Sequence, residues 1–402
     1  MLRSTLTSLI MITIAFSIGI GLGTLVPPLF PLNKNTPQKT NGWSTHSKKK
    51  TPQYFSGYRR DEEAEALWGY KLPPPVKIQK PKVYAKKEDQ VEQVVKPVPR
   101  KRFASISRSL TRLISFSTSP FPYEGAVPYT GKPFLNVEEE GRQAHKTRSG
   151  RVYWAEETYS DNRVLLHVPK GFDINKPAVI VLFFHGHGAT LERDVMRRQE
   201  VPAQISRAGV NAVLVAPQFA KDARDSSAGK FWQYGGAHRF LRETSLKLAQ
   251  IYGSRAAYDK FNKMPVVIVG YSGGFSPTAW CLAKGGISKR VKGVVLLDGL
   301  YGHLRKFARW IKRNRSGIFL SAHTHLTKRR NLKLQEMLTS ANIPFKTEVD
   351  GPLEPGTVIF VHSDEKHHSY VNKAWVYHPI RDVLVKLEAA VPGIRNIHTA
   401  SF

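Results

Sequence analysis

Gly270-Tyr271-Ser272-Gly273-Gly274 follows the apolar run Pro265 to Val269 and precedes a segment of helical character that contains Trp280 and Leu282. A serine on a tight strand-to-helix turn presents its hydroxyl for attack, and flanking glycines let neighbouring backbone approach without a Cβ clash. The helix that follows points its amide end at any negative charge that develops there. Ser272 is therefore the candidate nucleophile. Its hydroxyl attacks only when a base takes its proton, and imidazole titrates in the right range for that work. Histidines stand at 185 and 187, and again at 362, 367 and 368. Cys281 is the only cysteine, so neither an internal disulfide nor a thiolate metal cluster is available, and a buried core role is expected for it.

The elements around Ser272 read as strands alternating with helices. Ala178 to Phe184 is an all-apolar run of the kind found in strands buried on both faces, and Ala212 to Ala216, Val266 to Val269, Val294 to Leu297 and Ile318 to Leu320 resemble it. Helical periods fall at Leu191 to Arg207, Phe240 to Tyr252, Leu304 to Arg313 and Leu326 to Leu338. A last strand is expected within Phe345 to Val361, and a final helix over Val371 to Ala389, interrupted at Pro379. Arg151 to Glu157 and Arg163 to Val168 alternate like the arms of a hairpin. The pattern predicts an α/β fold, a mostly parallel sheet with helices on both faces.

The strand ending at Phe184 runs into His185-Gly186-His187-Gly188. Together with the Ser272 turn, this loop resembles the α/β-hydrolase family, over about residues 151 to 390. The resemblance implies an oxyanion hole built from backbone amides near Gly186, His187 and Gly273, with His185 bracing the loop. It places the base after the last strand, where His368-Ser369-Tyr370 is similar to the histidine segment of S-formylglutathione hydrolase-type esterases, so His368 is the expected base, with His367 and His362 as competitors. The acid that orients the base usually follows the seventh strand, but Ser321 to Leu326 contains no carboxylate. Some lipases of the family carry the acid after the sixth strand, which favours Asp298 over Asp350 and Asp364. The short gap between Asp298 and Leu304 leaves no room for a large lid domain, and Gln218 to Gly236, with Phe231, Trp232 and Tyr234, is the longest loop near the site.

The remainder of the chain reads differently. No charge occurs between Arg3 and Lys34, and Leu9 to Val26 is almost wholly apolar, long enough at ~1.5 Å per residue to match a bilayer core. Residues 1–33 are expected to act as a signal peptide or membrane anchor, which implies export. Lys71-Leu72-Pro73-Pro74-Pro75 and Lys96-Pro97-Val98-Pro99-Arg100 mark residues 34–150 as a Pro- and Lys-rich linker, largely disordered, in which Ser105 to Ser119 docks on the domain; the catalytic domain then spans 151–402. The chain carries 61 Lys and Arg against 31 Asp and Glu, a formal charge of +30, which favours anionic surfaces. Signatures of nucleic-acid recognition are missing from the sequence, so nucleic acid is not an expected partner. No cofactor or metal is expected.

The resulting expectation is a serine hydrolase that cleaves a small-molecule or lipid-like ester through an acyl-enzyme. Its rivals are an amidase or peptidase with the same triad, and a catalytically silent membrane-tethered binding protein.

Overall fold

Successive residues of the strand Val179–Phe184 point to opposite sides of a sheet: Ile180, Leu182 and Phe184 enter one core, while Val179, Val181 and Phe183 enter the other. That double burial is why the run is apolar without alternation. The structure is a computed structural model, described over residues 105–395. The expected anchor at 1–33 and the linker up to 104 lie outside the described residues. Within the described residues, no helix is long and apolar enough to cross a membrane.

Eight strands form the main sheet: β1 Leu110–Ser115, β5 Arg163–Val168, β7 Ala212–Pro217, β6 Val179–Phe184, β8 Val266–Tyr271, β9 Val291–Leu297, β10 Ile318–His323 and β11 Val358–His362, in that spatial order. From β7 to β11 neighbours pair in parallel, whereas β5 runs antiparallel to both β7 and β1. One face is covered by the helices Gly236–Ile251, Phe275–Lys284, Leu304–Arg313 and His325–Thr339, the other by Leu191–Arg198, Val201–Arg207 and Pro379–Lys386. This mixed sheet between two helical layers fits the expected α/β-hydrolase fold. Each apolar side chain taken fully out of water contributes roughly 1.5–3 kcal/mol, so the two cores together hold the sheet edge to edge.

Several expectations are corrected. The domain does not begin at residue 151. β1 pairs with β5 along its whole length, from Leu110 opposite Val168 to Ser115 opposite Arg163. Phe116, Phe121 and Phe134 are fully buried beside it. Glu243 on the Gly236–Ile251 helix anchors this segment, its carboxylate accepting from the amides and hydroxyls of Ser117 and Thr118 at 2.6–3.1 Å. The 105–119 stretch thus docks as expected, but as an edge strand, and order continues through 150. Nor do 151–157 and 163–168 form a hairpin. β4 Val152–Trp154 joins a separate small sheet with β2 Val137–Glu139 and β3 Arg142–Lys146, and Ala155–Thr158 turns helical before β5 begins. The segment expected as one helix over Leu191 to Arg207 breaks at Glu200, whose φ is 49°, ahead of Pro202. The last helix starts at Pro379, where a proline's missing amide costs nothing, and does not run through it.

Strand order reverses beside β6: β7 lies on one side of it and β8 on the other. That reversal is the place where doubly wound sheets bind ligands, beyond the carboxyl ends of the strands. Gly186 follows β6 and Ser272 follows β8.

Candidate active site

β8 delivers Tyr271 into a turn whose next residue, Ser272, takes the left-handed conformation with φ 49°. A non-glycine residue held there costs about 1–3 kcal/mol and persists only where its surroundings enforce it. Here the enforcement is close packing. A Cβ on Gly274 would stand 2.2 Å from the Phe184 carbonyl oxygen, and one on Gly186 would stand 2.9 Å from Ser272 Cβ. Only glycine at these two places lets the β6 loop and the Ser272 turn approach each other.

Ser272 Oγ lies 3.0 Å from His367 Nε2, and His367 Nδ1 lies 2.6 Å from Asp298 Oδ2. Asp298 immediately follows β9 and is fully buried. Its other contacts come from the start of the His325–Thr339 helix: the Thr324 amide at 3.1 Å, the Thr324 hydroxyl at 2.8 Å and the Thr327 hydroxyl at 2.6 Å. Burial by itself raises the carboxyl pKa, but the bonds from His367, Thr327 and Thr324 outweigh it and hold Asp298 below the ordinary carboxylate value. An ionised Asp298 accepts the Nδ1 proton, which leaves the Nε2 lone pair facing the Ser272 hydroxyl.

The expected base, His368, is not in this chain of bonds; its neighbour is. His367 and His368 belong to the single helical turn His367–Ser369, in which consecutive side chains diverge by about 120°, so only one of them faces Ser272. His368 is exposed, and its carbonyl accepts from Arg198 Nη1 at 3.0 Å. The His367 carbonyl accepts from the Tyr271 hydroxyl at 2.9 Å, and the Tyr271 ring stacks on the imidazole. Two donors from distant parts of the chain thus hold consecutive carbonyls of the turn. Arg198 is itself held by Asp194, a buried carboxylate that also receives Arg193 and the Thr190 amide. His362, Asp364 and Asp350 take no part in the site: His362 pairs with Asp364 at 3.1 Å, and Asp350 with Lys346 at 3.4 Å at the surface.

The histidines after β6 divide as their surroundings dictate. His185 is buried, donates from Nδ1 to the Gly186 carbonyl, and accepts at Nε2 from the Gln218 amide and the Phe219 backbone N–H, each at 2.9 Å. Burial pushes its pKa down to about 4, so it is a neutral brace for the loop. His187 is exposed, bonds Ser226 Oγ at 2.7 Å, and lies so near Gly273 that a Cβ there would meet its ring at 2.6 Å. Gly186, His187 and Gly273 therefore cluster around Ser272, where the expected oxyanion amides belong. No group of three metal-ligating side chains occurs among the described residues. Phe219, Phe231 and Trp232 pack into the core, and of that loop's four aromatics only Tyr234 is exposed.

Tyr271, Arg198, Thr324 and Thr327 are the supporting residues that sequence reasoning missed. Tyr271 lies inside the G-x-S-x-G motif, so its place was visible. Arg198 and the two threonines come from other elements, and no local pattern marks them.

No family model matches the chain, and no curated protein matches it. Among solved structures, the chain is similar to the feruloyl esterase module from Clostridium thermocellum at 16% identity, covering 70% of this chain and 100% of that one, with a TM-score of 0.40. It is similar to an S-formylglutathione hydrolase from Agrobacterium tumefaciens at 13% identity, covering 64% of this chain and 98% of that one, with a TM-score of 0.38. A third is an α/β serine hydrolase without lid from Xanthomonas campestris, at 14% identity, covering 64% and 98%, with a TM-score of 0.32.

Proposed function

We propose that this chain is a serine hydrolase that cleaves carboxylic esters through an acyl-enzyme. The observation that carries the reading is the unbroken chain of bonds from buried Asp298 through His367 to Ser272, on a strained turn beside the Gly186 loop. Ser272 Oγ attacks the ester carbonyl carbon as its proton passes to His367 Nε2, and Asp298 stabilises the imidazolium. The carbonyl oxygen becomes an oxyanion held by the amides near Gly186, His187 and Gly273. The C–O bond to the leaving alcohol breaks as His367 returns the proton to it. Water, deprotonated by the same nitrogen, then attacks the acyl-serine and releases the carboxylic acid.

A fluorophosphonate probe tests this directly. It is expected to label the wild-type chain at Ser272 and to leave Ser272→Ala unlabelled, with hydrolysis of p-nitrophenyl esters lost in parallel and the circular dichroism unchanged. Ester turnover that survives in folded Ser272→Ala overturns the assignment. Probe labelling without turnover of any ester, alongside cleavage of amide substrates, would move the reading to an amidase.

A further inference from the structure

The helices Phe275–Lys284, Leu304–Arg313 and His325–Thr339 lie side by side on one face of the sheet. The last two present almost only positive charge. Leu304–Arg313 reads LRKFARWIKR and His325–Thr339 reads HLTKRRNLKLQEMLT, with Glu336 the single carboxylate on either. Lys333 pairs with Glu336 at 2.6 Å, and among the described residues no other cation of the two helices enters an ion pair.

Several of these charges work against the helices that carry them, although Lys312 and Arg313 sit favourably in the last turn of the first. A helix N-terminus is the positive end of its dipole, yet the first turns hold Arg305, Lys306 and Lys328 and no acid. Like charges also stack four residues apart, Arg305 on Arg309 and Arg329 on Lys333, a spacing that destabilises an isolated helix. A face that served only solubility would intersperse the two signs. That imbalance leaves the outer cations available to an anion from outside the chain.

The apolar residues on the same face identify which kind. Thr327, Asn331, Leu334 and Leu338 form the buried side of the second helix, so Leu326 and Leu332 flank Arg329 and Lys333 on its outer side. They are 50% and 46% exposed, the only exposed leucines among the described residues. Cations around protruding leucines match an anionic bilayer, where phosphates meet the charges and the leucines enter the acyl boundary. Nucleic acid or an acidic polysaccharide gains nothing from the leucines. The face also reaches the active site: Leu326 follows Thr324, a partner of Asp298, and exposed Tyr301, just ahead of the first helix, meets the His367 ring edge-on at 6.3 Å.

We infer that the outer face of Leu304–Arg313 and His325–Thr339 docks this domain on an anionic lipid bilayer with the Ser272 site at the membrane surface. Docking follows from the surface alone; that the ester is drawn from the membrane rests on the proposed hydrolase reading.

The test uses the full chain with vesicles of phosphatidylcholine alone and of phosphatidylcholine mixed equally with phosphatidylglycerol. Subtracting neutral-vesicle binding removes any contribution that does not depend on lipid charge. Wild type is expected to bind the anionic vesicles in excess, and added salt to suppress the excess. Joint substitution R309E, K312E, R329E and R330E should cut that excess by about tenfold or more, and L326S with L332S should also weaken it. Neither variant should melt below wild type, and both should keep wild-type p-nitrophenyl acetate turnover. An excess left unchanged by the charge reversal overturns the proposal. So does vesicle binding indifferent to the leucine changes and abolished by heparin, which would assign the face to a soluble polyanion. Because binding and turnover are read separately, Ser272→Ala that docks normally but does not hydrolyse leaves both readings standing. A wild type that docks and never hydrolyses removes only the enzymatic one.

Discussion

Tyr271 and His367 are joined twice: the phenol donates to the His367 backbone carbonyl at 2.9 Å, and the two rings stack with centroids 5.3 Å apart. Tyr271 immediately precedes Ser272, so one residue ties the nucleophile's strand to the turn that carries the base. Tyr271→Phe keeps the stack and removes the hydrogen bond, a loss of about 1 kcal/mol. If that falls on the alignment of His367, kcat drops about fivefold. Tyr271→Ala removes the stack as well and should cost more. Steady-state kinetics on a p-nitrophenyl ester, with melting temperatures to separate unfolding from misalignment, read both.

The two adjacent histidines give a sharp contrast. His367→Ala removes the group bonded to both Ser272 and Asp298, and kcat/KM should fall by about 10³-fold or more. His368→Ala leaves the backbone carbonyl that binds Arg198 in place and should stay within a few-fold of wild type. The reverse ranking would return the base to His368.

Asp298→Asn keeps the shape but removes the charge that selects the His367 tautomer, and a loss of roughly 10⁴-fold in kcat is expected. The same residue couples stability to pH. Its folded-state pKa lies below its unfolded value, so its stabilising contribution is complete above that unfolded value and disappears as pH falls through the depressed folded one. Urea denaturation of wild type should therefore show stability draining away on acidification below about pH 4, the unfolded carboxylate range. Asp298→Asn should show a shallower slope there.

A protein truncated to begin at Arg151 loses β1, the Glu243 anchors and three fully buried phenylalanines, Phe116, Phe121 and Phe134. At roughly 1.5–3 kcal/mol each, the phenylalanines alone match a large share of a domain's net stability of about 5–15 kcal/mol. Such a fragment is expected to be insoluble or to lack a cooperative melt, whereas one that begins ahead of β1, at Val94, should melt cooperatively. A stable, soluble fragment from 151 would show that the edge strand is dispensable.

The sequence by itself determined the features whose cause is local. A strand that must be apolar on both faces writes itself as an uninterrupted run, and a turn that must hold Ser272 at positive φ between close backbones writes itself as glycines on either side. Asp298 was legible through the family resemblance, which allows an acid after the sixth strand; a carboxylate closing an apolar strand could equally have been a cap. The tertiary structure decided what depends on direction and on distant partners. His367 and His368 are neighbours of the same type, and only the path of their turn, pinned by Tyr271 from 96 residues away and by Arg198 from 170, selects one. Residues 105–150 looked coreless because β1 is short and half polar. Their order comes from pairing with β5 and from a carboxylate more than a hundred residues on, and such contacts leave no period in the local sequence.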